Sequence, residues 1–347
     1  MSNGFSCPVD EDNKDIITLA HGSGGRLTHQ LIETIIQPAL GNTRLDPLED
    51  GAILPQLDQA VVMTTDSYVI APTRFPGGDI GKLAICGTVN DLAMMGAKPL
   101  YLSLGFILEE GLLITEFKEI VLSIAQTAKA AGVSIVTGDT KVVEKGKGDK
   151  IFINTAGIGA RPNSSRIGVD SIQAGDKVVV SGDIGRHGVA VMAARDPEAF
   201  DTPVISDIAC LNSVVSALLE AGIDIHCMRD LTRGGLATAS IELAQSSNLQ
   251  FALDETSIPV DNSVKSICHV LGLDPLYIAN EGRFALIIPE ASVEHTLAVF
   301  AGIDNCKSAA VIGEVTEGKP GWATLRNAYG VSRRLDLLAG EQLPRIC

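Results

Sequence analysis

From Gln59 to Val69 apolar and polar positions alternate through AVVMTTDSYV, the two-residue period of a strand with one covered face. The period then changes. Across Ile80 to Gly96, the residues Ile80, Leu83, Ala84, Leu92 and Met95 recur at helical spacing. The pattern predicts a strand over Pro99 to Leu108 and a helix over Thr115 to Ala131, with Thr115 as its N-cap. A strand over Val133 to Val143 follows, and Asp149 to Gly159 is its expected hairpin partner across Glu144 to Gly148. Periodicity lapses from Arg161 to Ser171, where Pro, Ser and Gly concentrate, marking a domain boundary.

The second half repeats the mixture. A strand is expected over Asp176 to Ser181, with helices from Val189, over Asp207 to Ala221 and over Leu236 to Ser246. A strand (Phe284 to Pro289), a helix (Val293 to Ala301) and a final β-pair (Ala309 to Val315 with Ala323 to Arg326) close it. Strands and helices mix in both halves, so the fold class is α+β, in two domains. The expected parts are an arm with a glycine-rich loop (1–43), an N-terminal domain (44–160), a C-terminal domain (171–335) and a tail (336–347). No period of 20–50 residues recurs.

Composition narrows the partners. The 347 residues are 46% hydrophobic but 4% aromatic, so aliphatic side chains supply the core, and the net charge of −15 opposes nucleic acid and anionic membrane. An acidic chain still takes a phosphate substrate if Mg2+ lies between carboxylate and phosphate. The polar first fifteen residues lack the apolar core of a signal peptide, and no apolar run approaches the ~20 residues of a membrane span. Seven cysteines without a C-x-x-C pair argue against a disulfide framework or a zinc knuckle, and place the chain in the reducing cytoplasm.

The candidate chemistry lies at glycine turns. In His21-Gly22-Ser23-Gly24-Gly25 before a helical pattern, glycines let backbone N–H groups turn inward around a phosphate; a plain linker reads the same way. Asn90 and Asp91 are poor helix formers within an apolar helix and need a partner if buried: a cation, a backbone cap or water. Gly138-Asp139-Thr140-Lys141 combines carboxylate, hydroxyl and ammonium within a strand pattern, where Gly suggests a bulge or a close backbone approach. Asp230, followed by Gly234 and Gly235 at a helix start, is another anion or metal-phosphate candidate. Asp50 and Asp66 occupy a turn and a strand end, where Asp is common anyway. The histidines show no ligand spacing; His21 and His187 are site neighbours at most. Cys86, Cys210, Cys227 and Cys268 read as small core residues. The chain ends in Pro344-Arg345-Ile346-Cys347 after a Gly-containing tether. A terminal thiol is a strong nucleophile on an arm that can move, although a frayed tail that happens to end in Cys reads the same way by position; prenylation would need Cys where Pro344 stands.

The ordered set TTDSYVI, FPGGDIGKLAICGTVNDLA, FILEEG, VTGDTKVV, FINTAG, RDLTRGG, NEG and terminal PRIC resembles the HypE hydrogenase-maturation family, within the superfamily of aminoimidazole ribonucleotide synthetase and selenophosphate synthetase. The match runs from about Ile16 to Cys347; the arm carrying Cys7 falls outside it. The resemblance implies a homodimer paired through the N-terminal sheet, ATP held between the two halves, and Mg2+ on Asp50, Asp66, Asp91 and Asp230. It implies nucleotide contacts from Gly22, Ser23, Gly24, Gly25, Thr140 and Gly234, with Asn90, Asp139 and Lys141 along the phosphates. The implied reaction is ATP-dependent dehydration of an S-carbamoyl group on Cys347 to a thiocyanate, with Glu281 as base and Lys141 as another candidate. The carbamoyl group comes from the carbamoyltransferase HypF, and the cyanide passes to a HypC–HypD scaffold for the iron of NiFe hydrogenase. The second reading is an ATP-dependent synthetase of the selenophosphate type, which expects a reactive Cys in the glycine loop where His21 stands. A carrier that only binds partners would need neither the carboxylates nor the lysine.

Overall fold

The alternation that begins at Ala60 becomes an edge strand, β1 (Ala60–Tyr68), whose Tyr68 is buried while Val61 and Met63 point outward at 59% and 69% exposure. The computed structural model describes residues 15–200, 202–338 and 346. The expected arm up to residue 14, most of the tail and Cys347 lie outside the described residues.

Helix α1 (Ile80–Met94) follows, N-capped by Asp79, whose carboxylate accepts from the N–H groups of Gly81 and Lys82. Asn90 and Asp91 do not break it. Strand β2 (Lys98–Glu109), helix α2 (Ile114–Ala131) and strand β3 (Ser134–Val143) form a crossover unit, with β2 and β3 parallel. Thr115 is not the N-cap of α2. Leu113 holds that position without a side-chain cap, because an isolated bridge from Ile16 keeps it extended and Asp15 takes the Ile114 N–H.

Strand β4 (Ile151–Arg161) corrects a second expectation: it does not form a hairpin with β3. The order is β1-β4-β2-β3, and β4 pairs antiparallel with β1 and β2. The right-handed crossover through α2 takes β3 to the far side of β2, leaving the other side free for β4. Gly138 makes the close approach expected of it, since a Cβ there would land on the Leu104 carbonyl.

The C-terminal domain is a mixed sheet covered by helices. Its elements are β5 (Lys177–Val180), α3 (Arg186–Arg195), α4 (Asn212–Glu220), β6 (Cys227–Asp230), α5 (Gly235–Ser247), β7 (Gln250–Asp254), α6 (Asn262–Leu271), β8 (Phe284–Ile288), α7 (Val293–Ala301), β9 (Ala310–Thr316), β10 (Ala323–Arg326) and β11 (Ser332–Arg334). The order β11-β10-β7-β9-β5-β8-β6 shows that β9 and β10 are not a pair, because β7 lies between them. β8, buried at every position, is central between β5 and β6.

The helix expected from Asp207 starts only at Asn212. Residues 204–211 instead run extended along the other domain. Ser206 donates its N–H to Pro76, Ala209 to the Glu281 carbonyl, and Leu211 to Asn90 Oδ1. Those bonds replace the intrahelical ones the segment forgoes.

Candidate active site

A cleft of about 510 Å3 opens where the end of β1, the middle of α1, the end of β6 and the loop before β8 meet. Asp66, Asp91, Asp230 and Glu281 all line it. Alternation sends Thr64, Asp66 and Tyr68 toward α1, where Thr64 Oγ1 donates to Asp91 Oδ2 at 2.8 Å. Burial, then the negative charge of Asp230, pushes the Asp91 carboxyl up to about 6. Asp230 is raised in the same way, first by burial. Acids that disfavour one another's charge in a shared cleft make a ready place for a cation. Arg233, from the loop before α5, reaches Asp66 at 3.7 Å across the domain boundary.

Glu281 is 2% exposed, and its Oε1 has no hydrogen-bond partner among the described residues. Burial raises its pKa well above the ordinary carboxylate value, and the charges of Asp207, Asp230 and Asp66 add to the effect. Its position is fixed through the backbone: the N–H groups of Glu281 and Gly282 both donate to Asp207 Oδ2, at 3.1 and 2.9 Å. Gly282 is required there, because any Cβ would land on the Asp207 carbonyl.

The end of the chain enters the same region. Ile346 is buried at 7% exposure and packs in a cluster with Phe75, Ile208 and Ala279. Its carbonyl, one peptide bond before Cys347, accepts from His187 Nε2 at 2.7 Å. The other ring nitrogen, Nδ1, is 2.8 Å from Ser206 Oγ, and Phe75 meets the imidazole edge-to-face. Burial lowers the His187 pKa, so the ring is neutral and donates from Nε2 while Nδ1 accepts from Ser206.

The remaining candidates lie elsewhere. Gly22 presses on the Val142 backbone, which sets the glycine loop beside Lys141, and Gly24 takes a bond from its N–H to Thr28 Oγ1. Asp139 and Thr140 line a separate pocket of about 130 Å3 between β3 and the N-terminal helix that starts at Arg26. Exposed Lys141 registers with Ile107, which is 45% exposed on the uncovered side of the sheet. Asp50 is exposed on the segment before β1, outside the cleft. Gly234 is the left-handed N-cap of α5, two residues past the cleft-lining Thr232. Asn90, expected along the phosphates, is 2% exposed, and its amide is spent on backbone. It donates to the carbonyls of Ala209 and Glu281 and accepts from Leu211. Asp207, Ser206 and Arg233 were missed by the sequence reading. A carboxylate in an apolar SDIAC run is a signal only once that run is known to be extended and buried.

Family models match both halves: the N-terminal domain of AIR synthase related proteins over residues 48–160 and its C-terminal domain over 173–324. Carbamoyl dehydratase HypE of Azotobacter vinelandii is 46% identical over 331 residues, 95% of this chain and 97% of that protein. The chain belongs to the HypE family. The HypE of Escherichia coli K12 is also 46% identical, over 95% of this chain and 99% of that one. Among solved structures, a HypE in complex with ATP superposes with a TM-score of 0.91, covering 95% of this chain and 99% of that one at 46% identity. A HypE–HypF complex matches at 0.77 and 44% identity, over 89% and 99%. The thiamine-monophosphate kinase of Stenotrophomonas maltophilia K279a, at 19% identity and a TM-score of 0.62, shares the fold alone.

Proposed function

We propose that this chain is a carbamoyl dehydratase that uses ATP to convert an S-carbamoyl group on Cys347 into a thiocyanate, supplying cyanide for the iron of NiFe hydrogenase. The observation that carries the reading is the burial of Ile346 against His187, beside the segment that holds Glu281.

The carbamoyl oxygen leaves poorly as hydroxide, so ATP phosphorylates it and it departs as phosphate. The balance is S-carbamoyl plus ATP giving thiocyanate, ADP, phosphate and a proton; the nitrogen loses two protons, one of which leaves with the phosphate. Glu281, kept from its usual acidity by burial, is the base that takes a proton from the carbamoyl nitrogen. Asp66, Asp91 and Asp230 would hold Mg2+, with phosphate oxygens and water as further ligands; among the described residues no three acidic, Cys or His side chains already form a ligand cluster. Bound there, Mg2+ supplies charge neutralisation for the transferred phosphoryl group. Asp50 joins this set only if its loop closes.

Lys141 and the glycine loop sit apart from the carboxylate cleft, and the outer face of the N-terminal sheet carries Val61, Met63 and Ile107 uncovered. A homodimer through that face buries them and brings a second copy's lysine and glycine loop to the site. HypF as carbamoyl donor, HypC–HypD as cyanide acceptor and a cytoplasmic location complete the reading. Among the described residues no helix is long and apolar enough to cross a membrane. The glycine-loop histidine is tucked inward, its Nδ1 accepting from the Thr18 N–H, so it does not replace the reactive thiol a selenophosphate synthetase needs.

The test is intact mass of the carbamoylated chain before and after Mg-ATP. Loss of one water from the C-terminal peptide, with release of phosphate, is expected; an unchanged mass overturns the reading.

A further inference from the structure

Two thiols face each other across the domain boundary, away from the carboxylate cleft. Cys86 Sγ on α1 lies 3.2 Å from Cys210 Sγ on the extended 204–211 segment. Cys86 is one helical turn from Asn90 on the same side of α1. Asn90 grips both neighbours of Cys210, the Ala209 carbonyl and the Leu211 N–H. The backbone on either side of Cys210 is therefore held, with the two sulfurs already facing each other, short of the ~2.05 Å of a covalent bond. Both thiols line an open pocket of about 490 Å3 that also contains Lys82, where Cys86 is fully buried and Cys210 half-buried.

We infer that Cys86 and Cys210 are a redox-active pair, closing reversibly into a disulfide that staples the N-terminal domain to the segment beneath Glu281. Their surroundings set different roles. The hydrogen bond the two thiols share, helped by the ammonium of Lys82 and opposed by burial, holds the Cys210 pKa below its ordinary value. Burial instead pushes the thiols of Cys227, Cys268 and Cys306 up to about 11, which leaves them inert. A low-molecular-weight disulfide is the natural oxidant. The Cys210 thiolate attacks one of its sulfurs and expels a first thiolate. Cys86 then loses its proton, attacks Cys210 Sγ and expels the second. Two protein thiols and one small disulfide become one protein disulfide and two small thiols, with no electrons left over. In a reducing compartment such a pair is a sensor and not a permanent brace. This inference does not rest on the carbamoyl chemistry.

The experiment treats the folded full-length chain with oxidised glutathione, blocks remaining thiols by alkylation, and maps peptides by mass spectrometry. The Cys86 peptide should be joined to the Cys210 peptide, with a Tm several degrees higher, both reversed by dithiothreitol; closing a loop of over a hundred residues predicts the shift. Cys86→Ser should trap glutathione on Cys210, because the resolving thiol is gone, and Cys86→Ala serves if the serine variant folds poorly. Cys210→Ser should give neither product. Alkylation of both thiols after oxidation, linkage only in denaturant, or glutathione captured at Cys7 or Cys347 instead would overturn the pairing.

Discussion

Glu281 carries two opposed demands. Because its folded-state pKa is raised, folding favours its protonated form, and the stability this gives is present at low pH and lost as pH rises through the raised value. As the proposed base it must instead be ionised. The dehydration rate should therefore climb with pH as Glu281 ionises, and Glu281→Gln should flatten that limb and slow water loss by ~10²–10⁴ without affecting carbamoylation. Single-turnover phosphate release across pH measures both, and a Gln variant at the native rate removes Glu281 as base. Asn90 illustrates the opposite case, a polar residue whose role is structural. Asn90→Ala leaves the buried Leu211 N–H and the carbonyls of Ala209 and Glu281 without the amide, and should cost roughly 1–3 kcal/mol in denaturant unfolding.

At the scale of elements, the long periodic stretches were legible. β1, α1, β2 and α2 fall within a residue or two of their predicted bounds; β1, β2 and α2 have one covered face and so a clear period, whereas α1 is buried almost all round and was legible from its length and its Asp79 cap. The extended 204–211 segment was not legible. Its Val204, Ile208 and Leu211 are each buried in a different apolar cluster, so their spacing mimics a helix without forming one. Gly282→Ala tests how tightly that segment is set. A Cβ there meets the Asp207 carbonyl, so the variant should lose about 1–3 kcal/mol of stability, read by urea unfolding, together with ATP affinity, read by calorimetry.

At the scale of the whole molecule, the proposed reaction calls for two docking events, of the tail and of a second copy. The first is the tail. His187→Ala removes the donor to Ile346 and should let protease trim the C-terminus faster, whereas ATP should slow trimming of the native chain; equal rates throughout would argue against docking. The second is the homodimer. Val61→Lys combined with Met63→Lys should give monomers by light scattering, since both side chains face outward on an uncovered sheet. Mixing a Lys141→Ala chain with a Glu281→Gln chain should then restore part of the activity that each lacks alone, if one site draws on two copies.

The sequence by itself determined the family and the α+β class. Both follow from short stretches, the family from its motifs and the class from local periodicity. Asp66, Asp91 and Asp230 stood out beside glycine turns and Glu281 through the family resemblance, and the fold gathers all four in one cleft. Only the tertiary structure decided that Asn90 binds backbone, that Asp50 and Lys141 stand apart from the cleft, and that Asp207 and His187 support the site. Each of those outcomes depends on which distant segment arrives opposite, and local spacing carries no record of that.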